Sequence, residues 1–216
     1  DFSRWGKVQR EKLSPLRRSI AKAMEESWRT IPHVTQFHEA DVTGILGLLK
    51  RHSPTYQKKG ISLTLTAFLL KAVALLLKKH PAFNASLDEA VPEIVYKEYI
   101  HLGIAVDTES GLIVPVLRNA DQKNLEQISK ELTSLAEKAR QRKISLEELQ
   151  GASFTVSNQG GIGGGHFTPI IHKPEVAILG VGRAVLKPVY REAGKAPEVR
   201  WMLPLALSYD HRVIDG

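Results

Sequence analysis

At 216 residues the sequence can bury one sizeable core or two small ones, and 43% hydrophobic with 25% charged residues is ordinary for a globular protein. Thirty Lys and Arg against 23 Asp and Glu give a net charge of +7, which favours an anionic partner such as nucleic acid, an acidic protein surface or a phosphorylated cofactor. The absence of cysteine excludes disulfides, thiolate metal sites and a cysteine nucleophile, and suits a reducing compartment.

Residues 1–12 have no periodicity and are expected as an N-terminal arm or linker, with one domain over residues 13–216. No secretory pattern opens the chain, and a start at Asp1 is what an excised piece would show. Leu13, Leu16, Ile20, Met24, Trp28 and Ile31 then fall on one helical stripe; Ser14 before Pro15 is a helix start and Pro32 a stop. His33 to Val42 alternates as a strand, with Val34, Gln36 and His38 on one face and Phe37 on the other. A short helix over Leu46 to Arg51, ended by Ser53-Pro54, leads into a polar loop to Gly60. The run Ile61 to Lys79 carries Lys71 in its middle and is slightly short of the ~20 apolar residues of a membrane span. It predicts a helix buried on most sides, capped by Ser62 or Thr64 and ending at His80-Pro81.

Glu93 to Thr108 and Gly111 to Ala120 are β-branched runs separated by a turn signal, Glu109 to Gly111, and read as a hairpin. An amphipathic helix is expected from Asp121 through Leu125, Ile128, Leu132, Leu135 and Ala139, with the basic cluster Glu137 to Lys143 as a solvated face. Ser145 to Glu148 is a capping box for one more short helix. Strands return at Ser153 to Ser157, Glu175 to Glu192 and Val199 to Asp210, the last two forming a hairpin around residues 193–197. Long helices with hairpin strands predict an α+β fold around a mixed sheet, without internal repeat.

Three Trp and five Tyr with no repeated basic-aromatic pattern argue against a nucleic-acid binder. The loop Gly160 to Gly165 has neither a P-loop lysine nor a following helix, and Gly180 to Val185 lacks a third glycine; both read as sheet-edge loops or bulges rather than phosphate cradles. None of the eight histidines has the spacing of a zinc pair, so no metal is expected, and His33, His38, His166 and His172 read as structural or exposed. His211 ends an apolar strand, where it is either a strand-end core histidine or a base facing a cleft, its unperturbed pKa of about 6.5 suiting a base near neutrality. Asp215 could orient it and Ser157 could complete a Ser-His-Asp set. Ser157 is not on a G-x-S-x-G elbow, however, so it is better placed to donate a hydrogen bond than to attack.

The closing SYDHRVIDG resembles the HxxxDG signature of the dihydrolipoamide acyltransferases, the core component of 2-oxo acid dehydrogenase complexes, shared with chloramphenicol acetyltransferase. SWRTIPHVTQFHEADVT, HPAFNASL, YIHLGIAVDTESGLIVPVLRNADQKNL, LQGASFTVSNQGGIGGGHFTPIIHKPEVAILGVG and MLPLALSYDHRVIDG are similar to that family in order and spacing over nearly the whole chain. PHVTQF and NADQKNL are most like the acetyl branch, from pyruvate dehydrogenase complexes.

The resemblance implies a chloramphenicol-acetyltransferase-like fold and transfer of an acyl group between a lipoyl thiol and coenzyme A. It makes His211 the general base that takes the thiol proton, and Ser157 the oxyanion donor, reaching from a neighbouring subunit. Asp215 becomes a carboxylate that braces the site through a buried arginine, for which Arg17 is the candidate. The resemblance implies direct exchange between the two thiols, with no acyl-serine. It further implies a homotrimer assembling into a larger core, with lipoyl domains as partners and the decarboxylase and dihydrolipoamide dehydrogenase bound through modules outside this sequence. The location would be bacterial cytoplasm, or else the mitochondrial matrix. The basic surface would serve coenzyme A phosphates and acidic lipoyl domains. Family members continue past the motif by about one amphipathic helix, whereas this sequence stops at Gly216, which leaves open a non-catalytic core subunit of the same complex. A stand-alone acetyltransferase for a small hydroxyl acceptor is a remoter alternative.

Overall fold

The computed structural model describes residues 1–108, 111–192 and 194–216. The first twelve residues are exposed throughout and contain one 3-10 turn, Phe2–Trp5. The first helix, α1 (Pro15–Thr30), starts where Ser14 Oγ accepts the Arg17 N–H at 3.2 Å, with Pro15 at the first helical position. Its apolar stripe faces outward at Leu16 and Trp28, which are 40% and 63% exposed. Strand β1 (His33–Asp41) follows, and then α2 (Thr43–Gln57).

Helix α2 overruns the expected stop at Ser53-Pro54. Only three residues follow the proline within it, so the missing N–H removes a single helical hydrogen bond near the end, and Lys58 N–H still reaches the Pro54 carbonyl at 3.3 Å. Helix α3 (Leu65–Lys79) is capped by Thr64, whose Oγ1 accepts the Ala67 N–H at 3.3 Å. Ala67, Leu70, Val73, Ala74 and Leu77 are buried, but Leu75 and Leu76 are about half exposed, so its burial is one-sided rather than nearly complete. Lys71 is tolerated there because its ammonium donates to the Asp121 and Lys123 carbonyls at 2.9 and 2.7 Å.

The run Glu93 to Thr108, read as one strand, divides among three sheets. Strand β2 (Ala85–Asp88) pairs with β3 (Glu93–Tyr96); β4 (Leu102–Ile104) enters the main sheet; β5 (Val106–Thr108) pairs with β6 (Gly111–Ile113). The expected hairpin exists, with Val106 opposite Ile113 and Thr108 opposite Gly111; its turn residues 109 and 110 lie outside the described residues. Strand β7 (Val116–Leu117) returns beside β4. Helix α4 (Leu125–Arg140) begins four residues later than Asp121. Asn124 and Gln127 form the capping box, with bonds of 2.9 and 2.8 Å, while the Asp121 carboxylate meets Lys78 at 2.8 Å. Ser145 and Glu148 also cap each other, at 2.9 and 3.2 Å, though they open only a 3-10 turn, Glu147–Leu149.

The remaining strands are β8 (Phe154–Asn158), β9 (Ala177–Val181), β10 (Val185–Val189) and β11 (Glu198–Asp210). The main sheet runs β1-β11-β9-β8-β4-β7, with β10 on the same long strand β11; the β9–β8 and β8–β4 pairs are parallel and the others antiparallel. This is the expected mixed sheet with flanking helices. Leu70, Val73 and Leu77 of α3 and Ile128 and Leu135 of α4 share one core with Leu102, Phe154, Val156 and Val181 of the sheet.

The stretch Glu175 to Glu192 is not one strand. Val181 lies opposite Leu205 and Val185 opposite Met202, so one side advances four residues where the other advances three, which is a bulge. The glycine loop folds over it: Arg183 donates to the Gly160 and Gly161 carbonyls at 2.9 and 3.2 Å, and a Cβ on Gly182 would stand 2.3 Å from the Gly165 carbonyl oxygen. Both glycine stretches are therefore a loop and a bulge, as their sequences suggest. The hairpin turn beyond β10 includes residue 193, outside the described residues. Gly182→Ala is expected to lower stability by about 1–3 kcal/mol through this backbone clash, read as the denaturation midpoint; an unchanged midpoint would show that the loop does not press on the bulge.

Candidate active site

The end of β11 is closed into a rigid turn. Asp210 is 1% exposed, and its N–H bonds the Val176 carbonyl at 2.8 Å. Its own carbonyl accepts the N–H groups of Val213 and Ile214, both at 3.0 Å, and its carboxylate accepts the Arg212 N–H at 3.0 Å. The Arg212 guanidinium forks onto the same carboxylate, with Nε at 3.0 Å and Nη2 at 2.7 Å, and sends Nη1 to Glu89 at 2.8 Å. These bonds, above all that to Asp210, raise the Arg212 pKa further, and Arg212 holds the Glu89 carboxyl below the usual carboxylate range.

His211 stands at the apex of this turn. Its N–H bonds the Pro32 carbonyl at 3.1 Å, its ring lies 6.1 Å from that of Tyr209, and the residue is exposed. It is an outward-facing histidine on fixed backbone, not a core histidine. Asp215 is exposed and has no ion pair among the described residues.

Ser157 lies on β8, 9% exposed, and its hydroxyl has no hydrogen-bond partner among the described residues. It pairs with Gly180, which pairs with Ala206. Ser157 is thus level with Ala206, two strands away from β11, and His211 is five residues further on. With ~4.8 Å between strands and ~3.3 Å rise per residue, the two residues are separated by roughly 20 Å. One chain does not bring them together. Nor does it bring Arg17 to Asp215: Arg17 lies against Gly111, 3.4 Å from where a Cβ would be, near the start of α1, while the other end of that helix leads to Pro32 beside His211. An apolar cleft of about 350 Å3 between α3 and the sheet, lined by Leu76, Leu179, Leu205 and Leu207, contains neither His211 nor Ser157.

Two residues along β8 from Ser157 is a charged cluster that the sequence did not reveal. Glu175 is 2% exposed; its Oε1 accepts the Thr155 hydroxyl at 2.9 Å and faces His172 Nδ1 at 3.5 Å, while Oε2 and the nearby Lys97 ammonium have no hydrogen-bond partner among the described residues. Burial pushes the Lys97 pKa down, partly offset by Glu175. Of the histidines expected to be structural, His33 accepts the Ile171 N–H at Nε2 (3.0 Å), which leaves its Nδ1 to face the Ile31 carbonyl at 2.8 Å. Among the described residues no group of three or more His, Asp and Glu could hold a metal ion, and no helix is long and apolar enough to cross a membrane.

This mixed sheet backed by helices is similar in fold to chloramphenicol acetyltransferase (TM-score 0.53, 16% identity, 90% of this chain and 87% of that one). More closely, the chain belongs to the 2-oxoacid dehydrogenase acyltransferases, whose catalytic-domain model matches residues 6–216. It is 48% identical over 216 residues to the dihydrolipoyllysine-residue acetyltransferase component of the pyruvate dehydrogenase complex of Azotobacter vinelandii, covering 100% of this chain and 34% of that protein. The corresponding Bacillus subtilis component is 47% identical over 209 residues, 96% of this chain and 46% of that one. The chain thus spans about a third to a half of the length of these relatives. A solved Azotobacter vinelandii dihydrolipoamide acetyltransferase, studied for the roles of a serine, a histidine and an asparagine in its catalytic mechanism, superposes with a TM-score of 0.96 at 48% identity, over 100% of this chain and 88% of that one. A structure of the cubic core of the pyruvate dehydrogenase multienzyme complex matches with the same figures.

The charged cluster yields a pH dependence. Its hydrogen bond to Glu175 holds the His172 pKa above the ordinary 6.5, against desolvation. The folded chain therefore favours protonated His172: the stabilisation is complete below about pH 6.5 and is lost as pH rises through the folded value. His172→Gln should lose more stability at about pH 6 than at about pH 8.5, measured by denaturant unfolding. An equal loss at both would contradict the pairing.

Proposed function

We propose that this domain transfers an acyl group, acetyl in particular, between a lipoyl thiol and coenzyme A. The observation that carries this reading is His211, exposed on a turn whose backbone is fixed by Asp210 and Pro32. In the acetyltransferase studied for catalysis, the histidine and asparagine are four residues apart, the separation of His211 and Asp215 here. The chain differs in having a carboxylate at the second position.

The chemistry rests on a thiol pKa near 8.5, which leaves little thiolate at neutral pH without a base. Neutral His211 takes the coenzyme A thiol proton, and the sulfur attacks the carbonyl of the acyl-lipoyl thioester. The tetrahedral oxyanion accepts a hydrogen bond from the Ser157 hydroxyl, which is free of other partners among the described residues. Collapse breaks the carbon–sulfur bond to the lipoyl group, and the imidazolium returns its proton to the departing dihydrolipoyl sulfur. Both thiols are substrates, and no acyl-serine is involved.

Because His211 and Ser157 are far apart in one chain, such a site takes them from adjacent copies, which supports the homotrimer. Asp215 and Arg17, also separated, would meet in the same way. The outward Leu16 and Trp28 of α1 and the exposed Ile94, Val95 and Tyr96 of β3 supply apolar surface for assembly. A larger core, lipoyl domains as partners, and decarboxylase and dihydrolipoamide dehydrogenase components held through other segments complete the proposal; the bacterial relatives support a cytoplasmic location.

Acetyl transfer from acetyl-coenzyme A to dihydrolipoamide tests it. His211→Ala should lower kcat by about 10²–10⁴ and Ser157→Ala by about 10²–10³, with the oligomer unchanged by sedimentation. Undiminished transfer in His211→Ala would overturn the mechanism, and no transfer by the unaltered protein would leave a non-catalytic core subunit.

A further inference from the structure

We propose that Glu89, at the tip of the β2–β3 hairpin, is a positioning residue for His211 and acts through Arg212; this rests on His211 being the base of the transfer. Glu89 is the first residue of the turn between the hairpin strands, and that turn is shaped by Asp88, whose Oδ1 accepts the Ala90 N–H at 3.0 Å. Its Oε1 accepts Arg212 Nη1 at 2.8 Å, and its Oε2 faces Lys173 Nζ at 3.4 Å. Lys173 in turn is anchored to α1, its N–H to Ser27 Oγ at 3.4 Å and its ammonium 3.5 Å from Glu26.

The geometry of the fork gives this arrangement its meaning. Asp210 engages only the Nε–Nη2 edge of the guanidinium, from within the turn itself. A group held along one edge can still swing about it. Glu89 takes the opposite nitrogen from an element remote in sequence, so the plane of Arg212 is set by two carboxylates on different parts of the fold. Arg212 is bonded directly to His211, whose backbone is held on its other side by Pro32. The imidazole thus leaves a backbone gripped from both directions. A base must be held within about 0.5 Å of its productive geometry, and a shift of about 1 Å costs on the order of 10²-fold in rate.

Glu89 and Arg212 are partly exposed, with side chains 42% and 34% accessible, so their pair adds little to overall stability. Its effect falls on where His211 stands. Glu89 makes no hydrogen bond or ion pair with the His211 ring among the described residues, so it acts as a positioning residue and not as a catalytic one.

Glu89→Ala, Glu89→Gln and Glu89→Asp in the full chain, assayed for acetyl transfer, test this. Ala and Gln are expected to lower kcat about 5- to 30-fold with KM for acetyl-coenzyme A within about twofold, and with unchanged thermal midpoint and oligomer. Asp, which keeps the carboxylate, should recover most of the rate. In an Arg212→Lys background, where the fork is already lost, Glu89→Ala should have no further effect on kcat. An unchanged kcat in the Glu89 variants, a loss that parallels unfolding, or a loss fully additive with Arg212→Lys would each overturn the inference. His211→Ala is run beside them: if it keeps full activity, the reading of His211 fails; if it collapses while the Glu89 variants do not, only the role of Glu89 fails.

Discussion

Strand β11 is the constraint on which the rest depends. It pairs over Met202 to Asp210 with β1 on one side, and with β9 and then β10 on the other, which makes it the best-anchored segment of the sheet. The residue after Asp210 inherits that rigidity, and that residue is His211. The same ladder fixes the level of Ser157, through Gly180 and Ala206, well below the strand end. A sheet this firmly registered cannot bring the two residues together by flexing. The exposed His211 and the buried Ser157 hydroxyl therefore stand at different places in one chain, and on the proposed reading a neighbouring copy complements both.

The electrostatics divide along the same lines. Asp210, Arg212, Glu89 and Lys173 form a connected set around the turn, in which each charge meets one of opposite sign, so the turn is rigid without leaving a net charge against the imidazole. Beside Ser157 the set is different: Glu175, Thr155, His172 and Lys97 are more deeply buried and less completely paired. The first set shapes the backbone at His211, and the second lies against the strand that carries the Ser157 hydroxyl. Both connect segments distant in sequence, and both reach the stretch from His172 to Glu175.

Local signals were legible where the physics is local. Ser14-Pro15 and the Ser145–Glu148 box announced themselves, and the cap of α3 was narrowed to Ser62 or Thr64, because a cap is a short-range bond between a side chain and an N–H a few residues on. Asp121 misled for the same reason: it looks like a cap, but Asn124 has Gln127 to answer it and Asp121 has Lys78. Strand β2 was not foreseen, and the run that holds β3, β4 and β5 was located but not partitioned, since β-branched composition does not say that they pair with three different partners. His211 and Asp215 were singled out through a motif and its spacing, and Ser157 through the resemblance of the stretch around it. Glu89, Lys97 and Glu175 carry no motif, and their roles exist only once hairpin, strand and loop meet. Arg17 was named for a contact with Asp215 that one chain does not make.

The central claim is that the base and the oxyanion donor of one site come from different copies of this chain. Co-assembling His211→Ala with Ser157→Ala chains, each inactive alone, measures it directly. Random mixing supplies a sound histidine beside a sound serine at about one interface in four, so the account predicts about a quarter of the unaltered activity. Mixed assemblies no more active than the two parents would contradict it and put both residues to work within one chain.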